Sequence, residues 1–191
     1  MAQIDSKAFY KLSYGLYMLS TQWQGRDNAC IVDAVIQSAA EPKCITVSCM
    51  AGNLTPEYIR SSRVFNLSVL TQDCPAEVFQ RFGMQSGRNA DKFADTEGFA
   101  RTENSLLFYE DAGAVISCEV VETLELGSHV QITARVTEAR NLKDAPSLTY
   151  GEYRTRLKAG SRAALGKGKP ELAGTRADVA RLTDGGGAPA D

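Results

Sequence analysis

Apolar residues in the first fifty positions come in short runs, with turn-forming residues between them. Residues 5–12 (DSKAFYKL) place Ala8, Phe9 and Leu12 on one side of a helical repeat, which predicts a short helix. YGLYMLST at 14–21 is rich in aromatic and branched residues and predicts a strand that ends at the turn-forming stretch QGRDN. CIVDAVIQS at 30–38 predicts a second strand, closed by Glu41-Pro42, and CITVSCM at 44–50 predicts a third. Strands this short and this apolar suit a closed barrel, which leaves few free edges.

The period then changes. In Asn53-Leu54-Thr55-Pro56-Glu57, Thr55 is placed to cap a helix whose first residue is Pro56 and which runs through PEYIRSS. VFNLSVL at 64–70 returns to strand. Asp73-Cys74-Pro75 opens a second helix, AEVFQRF, with Val78, Phe79 and Phe82 on one face and Gly83 as its stop. GMQSGRNADKF at 83–93 is a polar loop. AVISCEVVETLEL at 114–126 and HVQITARVTEARNL at 129–142 are long strand-like runs joined by Gly127-Ser128, a two-residue hairpin turn with glycine first. The expected class is mainly β with peripheral α, a six- or seven-stranded barrel with inserted helices and a C-terminal β-hairpin. There is no alternating βαβ series and no G-x-G-x-x-G, which argues against a dinucleotide-binding Rossmann domain.

Composition sharpens this picture in three places. The 191 residues, 43% of them hydrophobic, suffice for one sizeable core, expected over residues 1–160. From residue 161 the chain turns to Gly, Ala, Lys and Pro and ends GGGAPAD, so residues 161–191 are expected to form a flexible C-terminal tail. The net charge of −2 lacks the basic excess of a nucleic-acid or anionic-membrane surface. No stretch approaches the roughly 20 apolar residues of a membrane span. The N-terminal MAQIDSKAFYK has no apolar signal core, and a cytoplasmic location is expected. The cysteines, Cys30, Cys44, Cys49, Cys74 and Cys118, are irregularly spaced without a C-x-x-C pair, so they read as reduced, mostly buried thiols rather than metal ligands.

Candidate chemistry is sparse. The helix start at Asn53–Glu57 offers free backbone N–H groups and the Thr55 hydroxyl to an anion such as a phosphate, although plain helix capping accounts for the same residues. Ser86-Gly87-Arg88, with Lys92 nearby, suits a phosphate or is simply a solvated charged loop. In strand 30–38, Asp33 and Gln37 interrupt one face, which then meets either a polar ligand or solvent. His129, the lone histidine, excludes a multi-histidine metal site and reads otherwise as a bystander on its strand.

Five segments taken in order go further. FYKLSYGLYMLST, DNACIVDAVIQSAAEP, FNLSVL, RFGMQSGRNADKF and LGSHVQITARV together resemble the flavin reductase-like FMN-binding split-barrel family over residues 5–160. The resemblance implies a homodimer with non-covalent FMN in a groove near the subunit interface, and a nicotinamide, NAD(P)H, as transient electron donor. It assigns Asn28, Ala29, Cys30, Ile31, Asp33, Ala34 and Gln37 to the strand lining the flavin ring and ribityl chain, and Ser48, Cys49 and Met50 to the next strand. It assigns Asn53 and Thr55 to the phosphate, and Phe82, Gly87 and Arg88 to a loop that closes over the cofactor. His129 falls where the hydride donor or acceptor approaches.

The chain departs from the family pattern in three places. Asp33-Ala34 stands where relatives carry Asn-Thr, Met50-Ala51 where they carry Asn-Lys, and Ala134 where a glycine is expected. An ionised Asp33 beside the flavin would disfavour its anionic reduced form and lower its potential. The implied function is an FMN-dependent oxidoreductase passing electrons from NAD(P)H to ferric iron, free flavin, oxygen or a redox protein. The alternatives are a non-enzymatic electron carrier reduced by a protein partner, and a split barrel holding a different ligand.

Overall fold

The computed structural model of the chain describes residues 3–156. The expected tail at 161–191 lies outside the described residues. Four strands come first: β1 (Tyr17–Trp23), β2 (Arg26–Val32), β3 (Ala34–Ala40) and β4 (Lys43–Met50). Helix α1 (Leu54–Ser62), β5 (Val64–Val69) and helix α2 (Ala76–Gly83) follow. Two three-residue strands, β6 (Phe99–Arg101) and β7 (Leu107–Tyr109), pair with each other, and the long strands β8 (Ala114–Glu125) and β9 (His129–Asn141) complete the sheet. The main sheet has seven antiparallel strands in the order β2-β1-β5-β8-β9-β4-β3. Its two margins, β2 and β3, are consecutive in the chain and meet at Asp33, so the sheet curls around a common interior.

That interior is apolar because alternate positions of the main-sheet strands point into it. Leu19, Val47, Phe65, Leu67, Val130 and Ile132 fill it, and Ile59 of α1 packs among them. Each such side chain contributes roughly 1.5–3 kcal/mol relative to exposure. The opposite faces of β1 and β2 are buried too. Met18 and Ala29 pack with Phe79 and Phe82 of α2 in a second cluster, so residues on both faces of these strands are buried. The outer face of β5 carries Asn66 and Ser68, buried beneath the β6–β7 hairpin: Asn66 Nδ2 donates to Thr102 Oγ1 at 2.8 Å, and Tyr109 N donates to Ser68 Oγ at 3.0 Å.

Several expectations need correction. Residues 6–11 form a 3-10 turn with no buried residue, so its apolar side faces no core; Asp5 caps it by accepting from Lys7 N. The first strand begins at Tyr17, since Gly15 bridges Thr149 and Leu16 N donates to Leu148 O. Only Gln24 and Gly25 form the following turn, both at positive φ, and Arg26-Asp27-Asn28 belong to β2. The run at 30–38 is two strands broken at Asp33, so no single alternation of faces spans it. The α2 cap is Pro75, without a side-chain bond, because Asp73 takes Thr71 Oγ1 and Lys143 instead. The β8–β9 hairpin turns at Gly127 as expected, with φ +72. No described helix is long and apolar enough to cross a membrane.

Candidate functional site

The first turn of α1 meets β2 through buried polar side chains. Asn28 Nδ2 donates to Thr55 Oγ1 at 2.8 Å. Thr55 is 1% exposed and stands inside the helix, one residue past its start at Leu54. The cap is Asn53, so the expected capping role of Thr55 does not hold: the buried Asn28 amide needs an acceptor, and the hydroxyl supplies it. Asn53 makes no side-chain cap bond; its Nδ2 lies 3.9 Å from Cys49 Sγ. The leading N–H groups of α1 are therefore left without a side-chain cap from Asn53, an arrangement that suits an anion. Ala29 is fully buried, and Cys30 Sγ of β2 lies 3.7 Å from Cys49 Sγ of β4.

The loop after α2 closes over this point. A Cβ on Gly87 would lie 2.0 Å from Asn28 Oδ1 and 3.3 Å from Leu54 Cδ2, so only glycine lets the loop lie against Asn28. Arg26 holds the loop, its Nη2 donating to Gly87 O at 2.5 Å. Arg88 then reaches Glu57 in the first turn of α1, 2.6 Å between Nη2 and Oε2. The two anion candidates of the sequence are thus one place in the fold. Both partners of that ion pair are about half exposed, and such pairs contribute on the order of 0–1 kcal/mol. An anion stronger than the Glu57 carboxylate would take Arg88 from it at little cost.

Lys92 behaves otherwise than expected. Its ammonium turns into the protein and donates to Ala29 O at 2.9 Å and Phe82 O at 3.2 Å, so it braces the loop from beneath rather than meeting an anion. Burial pushes its pKa below the ordinary lysine value. Phe82 is also buried, its ring 5.1 Å from Phe93 and 5.4 Å from Phe99, and only its carbonyl takes part here. Ile31 is half-buried, its Cγ1 3.4 Å from where a Cβ on Gly83 would stand. Arg26 escaped the sequence reading, since an arginine after a turn carries no distinguishing signal.

A second group of the candidate residues lies on the outer face of β3, β4 and β9. Ala34 pairs with Ser48, Ser48 with Gln131, and Met50 with His129, and paired residues share a face. His129 is half-buried, with Nδ1 2.9 Å from Ser128 Oγ. Asp33 sits at the break between β2 and β3, half-buried, between the two groups. Gln37 is not brought to either: it is exposed, three residues or about 10 Å beyond Ala34, with Nε2 donating to Ala39 O at 3.1 Å.

Comparison with known proteins supplies the family. Residues 9–158 match the flavin reductase like domain. The chain is 34% identical over 150 residues to a ferric-chelate reductase (NAD(P)H) of Archaeoglobus fulgidus, covering 78% of this chain and 89% of that protein. It is 32% identical over 151 residues to the high molecular weight rubredoxin of Moorella thermoacetica, covering 78% of this chain and 66% of that one. Among solved structures, an FMN-binding protein from Thermus thermophilus superposes with a TM-score of 0.69 at 22% identity, covering 78% of this chain and 89% of that one. The described seven-stranded sheet and the sequence match agree, and the chain belongs to the flavin reductase-like family.

Proposed function

We propose that this chain is an FMN-dependent reductase that takes a hydride from NAD(P)H and passes electrons to an acceptor such as a ferric chelate, a free flavin, oxygen or a redox protein. The observation that carries the reading is the meeting of Arg88, Gly87, Asn28 and the uncapped start of α1 at one place. These groups fit a phosphate monoester: the α1 terminus supplies N–H donors, Arg88 supplies charge, and Gly87 supplies the close approach that a Cβ would fill. FMN, when bound, supplies two-electron chemistry between a hydride donor and an acceptor. The protein's part is position and electrostatics. The backbone from Asn28 to Ala34 with Ser48 and Met50 offers a surface for the ring, Asp33 sets the charge beside it, and Lys92 keeps the covering loop in place.

His129 is read as a positioning group for the nicotinamide. His129→Ala should raise the KM for NAD(P)H, and unchanged turnover and nicotinamide affinity would remove that role. A homodimer belongs to the same reading. Ile36, Met50, Leu124 and Leu126 are each more than half exposed, and strand pairing sets them on the face that carries Ser48 and His129. A partner subunit covering this face would put His129 at the junction.

Titration with FMN and riboflavin tests the phosphate assignment. Arg88→Ala should weaken FMN by about 10-fold or more, the loss expected for one charge-assisted hydrogen bond, and leave riboflavin unchanged. Equal losses for both ligands would reject it. An electron carrier reduced only by a protein partner remains the second reading, favoured if bound FMN stays oxidised with either nicotinamide.

A further inference from the structure

Two of the five cysteines differ from the rest in their surroundings. Cys30 and Cys49 are 4% and 1% exposed, with their sulfurs 3.7 Å apart. They come from β2, at one margin of the sheet, and β4, next to the other margin, and no hydrogen-bonded ladder is formed between them. A disulfide needs its sulfurs at about 2.05 Å, so the gap to close is about 1.7 Å, within the reach of side-chain rotation and a small strand shift.

The pair is also set among polar groups, unusual for buried thiols. Thr55 uses its oxygen to accept from Asn28 and can turn its hydroxyl hydrogen to the Cys30 sulfur. Asn53 Nδ2 lies 3.9 Å from Cys49 Sγ, and the Lys92 ammonium donates to the carbonyl of Ala29, the residue before Cys30. The Cys49 thiol donating to Cys30 is the largest influence holding Cys30 below its ordinary pKa; Thr55, the Lys92 charge and Asn53 add to it against burial. Cys49 is correspondingly pushed up, first by that same bond and then by burial. One sulfur of the pair is thus disposed to be the nucleophile and the other to keep its proton. Cys118 shows the contrasting case, a thiol in apolar surroundings pushed up to about 12 by burial.

We propose that Cys30 and Cys49 form a redox-active dithiol, oxidised by hydrogen peroxide to a disulfide that ties the two strands together. The Cys30 thiolate attacks one peroxide oxygen, the O–O bond breaks, and the departing hydroxide takes a proton to become water. Cys30 is left as a sulfenic acid. Cys49 gives up its proton and attacks that sulfur, the S–O bond breaks, and a second water leaves. Two electrons and two hydrogens pass from the thiols to the peroxide, which is reduced to two waters. The bond would lie beneath Asn28, Thr55 and Asn53, and would fix the spacing of β2 and β4 at the candidate phosphate site.

The test uses the purified full-length chain and added hydrogen peroxide, with no flavin required, so its outcome is independent of the reductase reading. Intact mass spectrometry without reductant should show a loss of about 2 Da. Two of the five thiols should disappear, peptide mapping should join Cys30 to Cys49, and dithiothreitol should reverse the change. Cys49→Ser should instead accumulate a sulfenic acid at Cys30 that dimedone traps. Retention of all five thiols in the wild-type protein, oxygen addition without a cross-link, or a bond between other cysteines would overturn the proposal.

Discussion

Gly87 and Asn28 show how much rests on single contacts. Because a Cβ on Gly87 would meet Asn28 Oδ1 at 2.0 Å, Gly87→Ala must move the loop or break the Asn28–Thr55 bond. Losing that buried bond costs about 1–3 kcal/mol, and FMN affinity should fall by about 10-fold as Arg88 shifts with the loop. Unfolding and FMN titrations of the variant check both; an unchanged FMN affinity would mean that Gly87 does not shape the site. Cys118 gives a prediction in pH. Its thiol rises from an ordinary 9.0 to about 12 in the folded protein, so the folded state keeps a proton that the unfolded state releases. The neutral thiol's contribution is intact below pH 9 and is lost as pH rises to about 12, a decline of up to about 4 kcal/mol for this group. Urea unfolding of wild type and Cys118→Ala across that window should show a shallower decline in the variant; parallel curves would refute the assignment. At this scale the sequence was partly legible. Thr55, Gly87 and Arg88 are marked by the residues around them and Asn28 by the family resemblance, but the inward turn of Lys92 is not legible, since nothing in a polar loop marks which charge faces the core.

At the scale of elements, the apolar runs located the main strands because their inward positions are buried and several outward ones are apolar too. The apolar composition on either side of Asp33 hid the break there. The run 30–38 contains no glycine or proline, and a strand that passes from one sheet margin to the other looks continuous in sequence. The strands β6 and β7 escaped for a different reason: three residues each give no period, and their docking rests on Ser20, Asn66 and Ser68 reaching across. The outer face of β3, β4, β8 and β9 carries the prediction that belongs here. Met50→Glu together with Leu124→Glu would place two charges on the exposed apolar face and should convert a dimer to a monomer in sedimentation. A wild-type chain that sediments as a monomer, or a variant that remains dimeric, would contradict the use of this face.

For the whole molecule, the sequence match and the described fold make this chain a member of the flavin reductase-like family, and the family joins features that look unrelated when taken singly. An uncapped helix start and a glycine pressed against an asparagine meet where α1 joins β2, and a histidine beside an exposed methionine lies on the paired strands β9 and β4. The barrel interior holds β2 and β4 close while leaving their polar residues at the entrance to α1. The most direct measurement is the absorbance of the FMN-loaded protein on anaerobic addition of NADH or NADPH. The reductase reading predicts that the flavin band near about 450 nm bleaches with at least one of them and returns when a ferric chelate or oxygen is admitted. A band that persists with both nicotinamides, or a protein that binds no FMN at all, would contradict it.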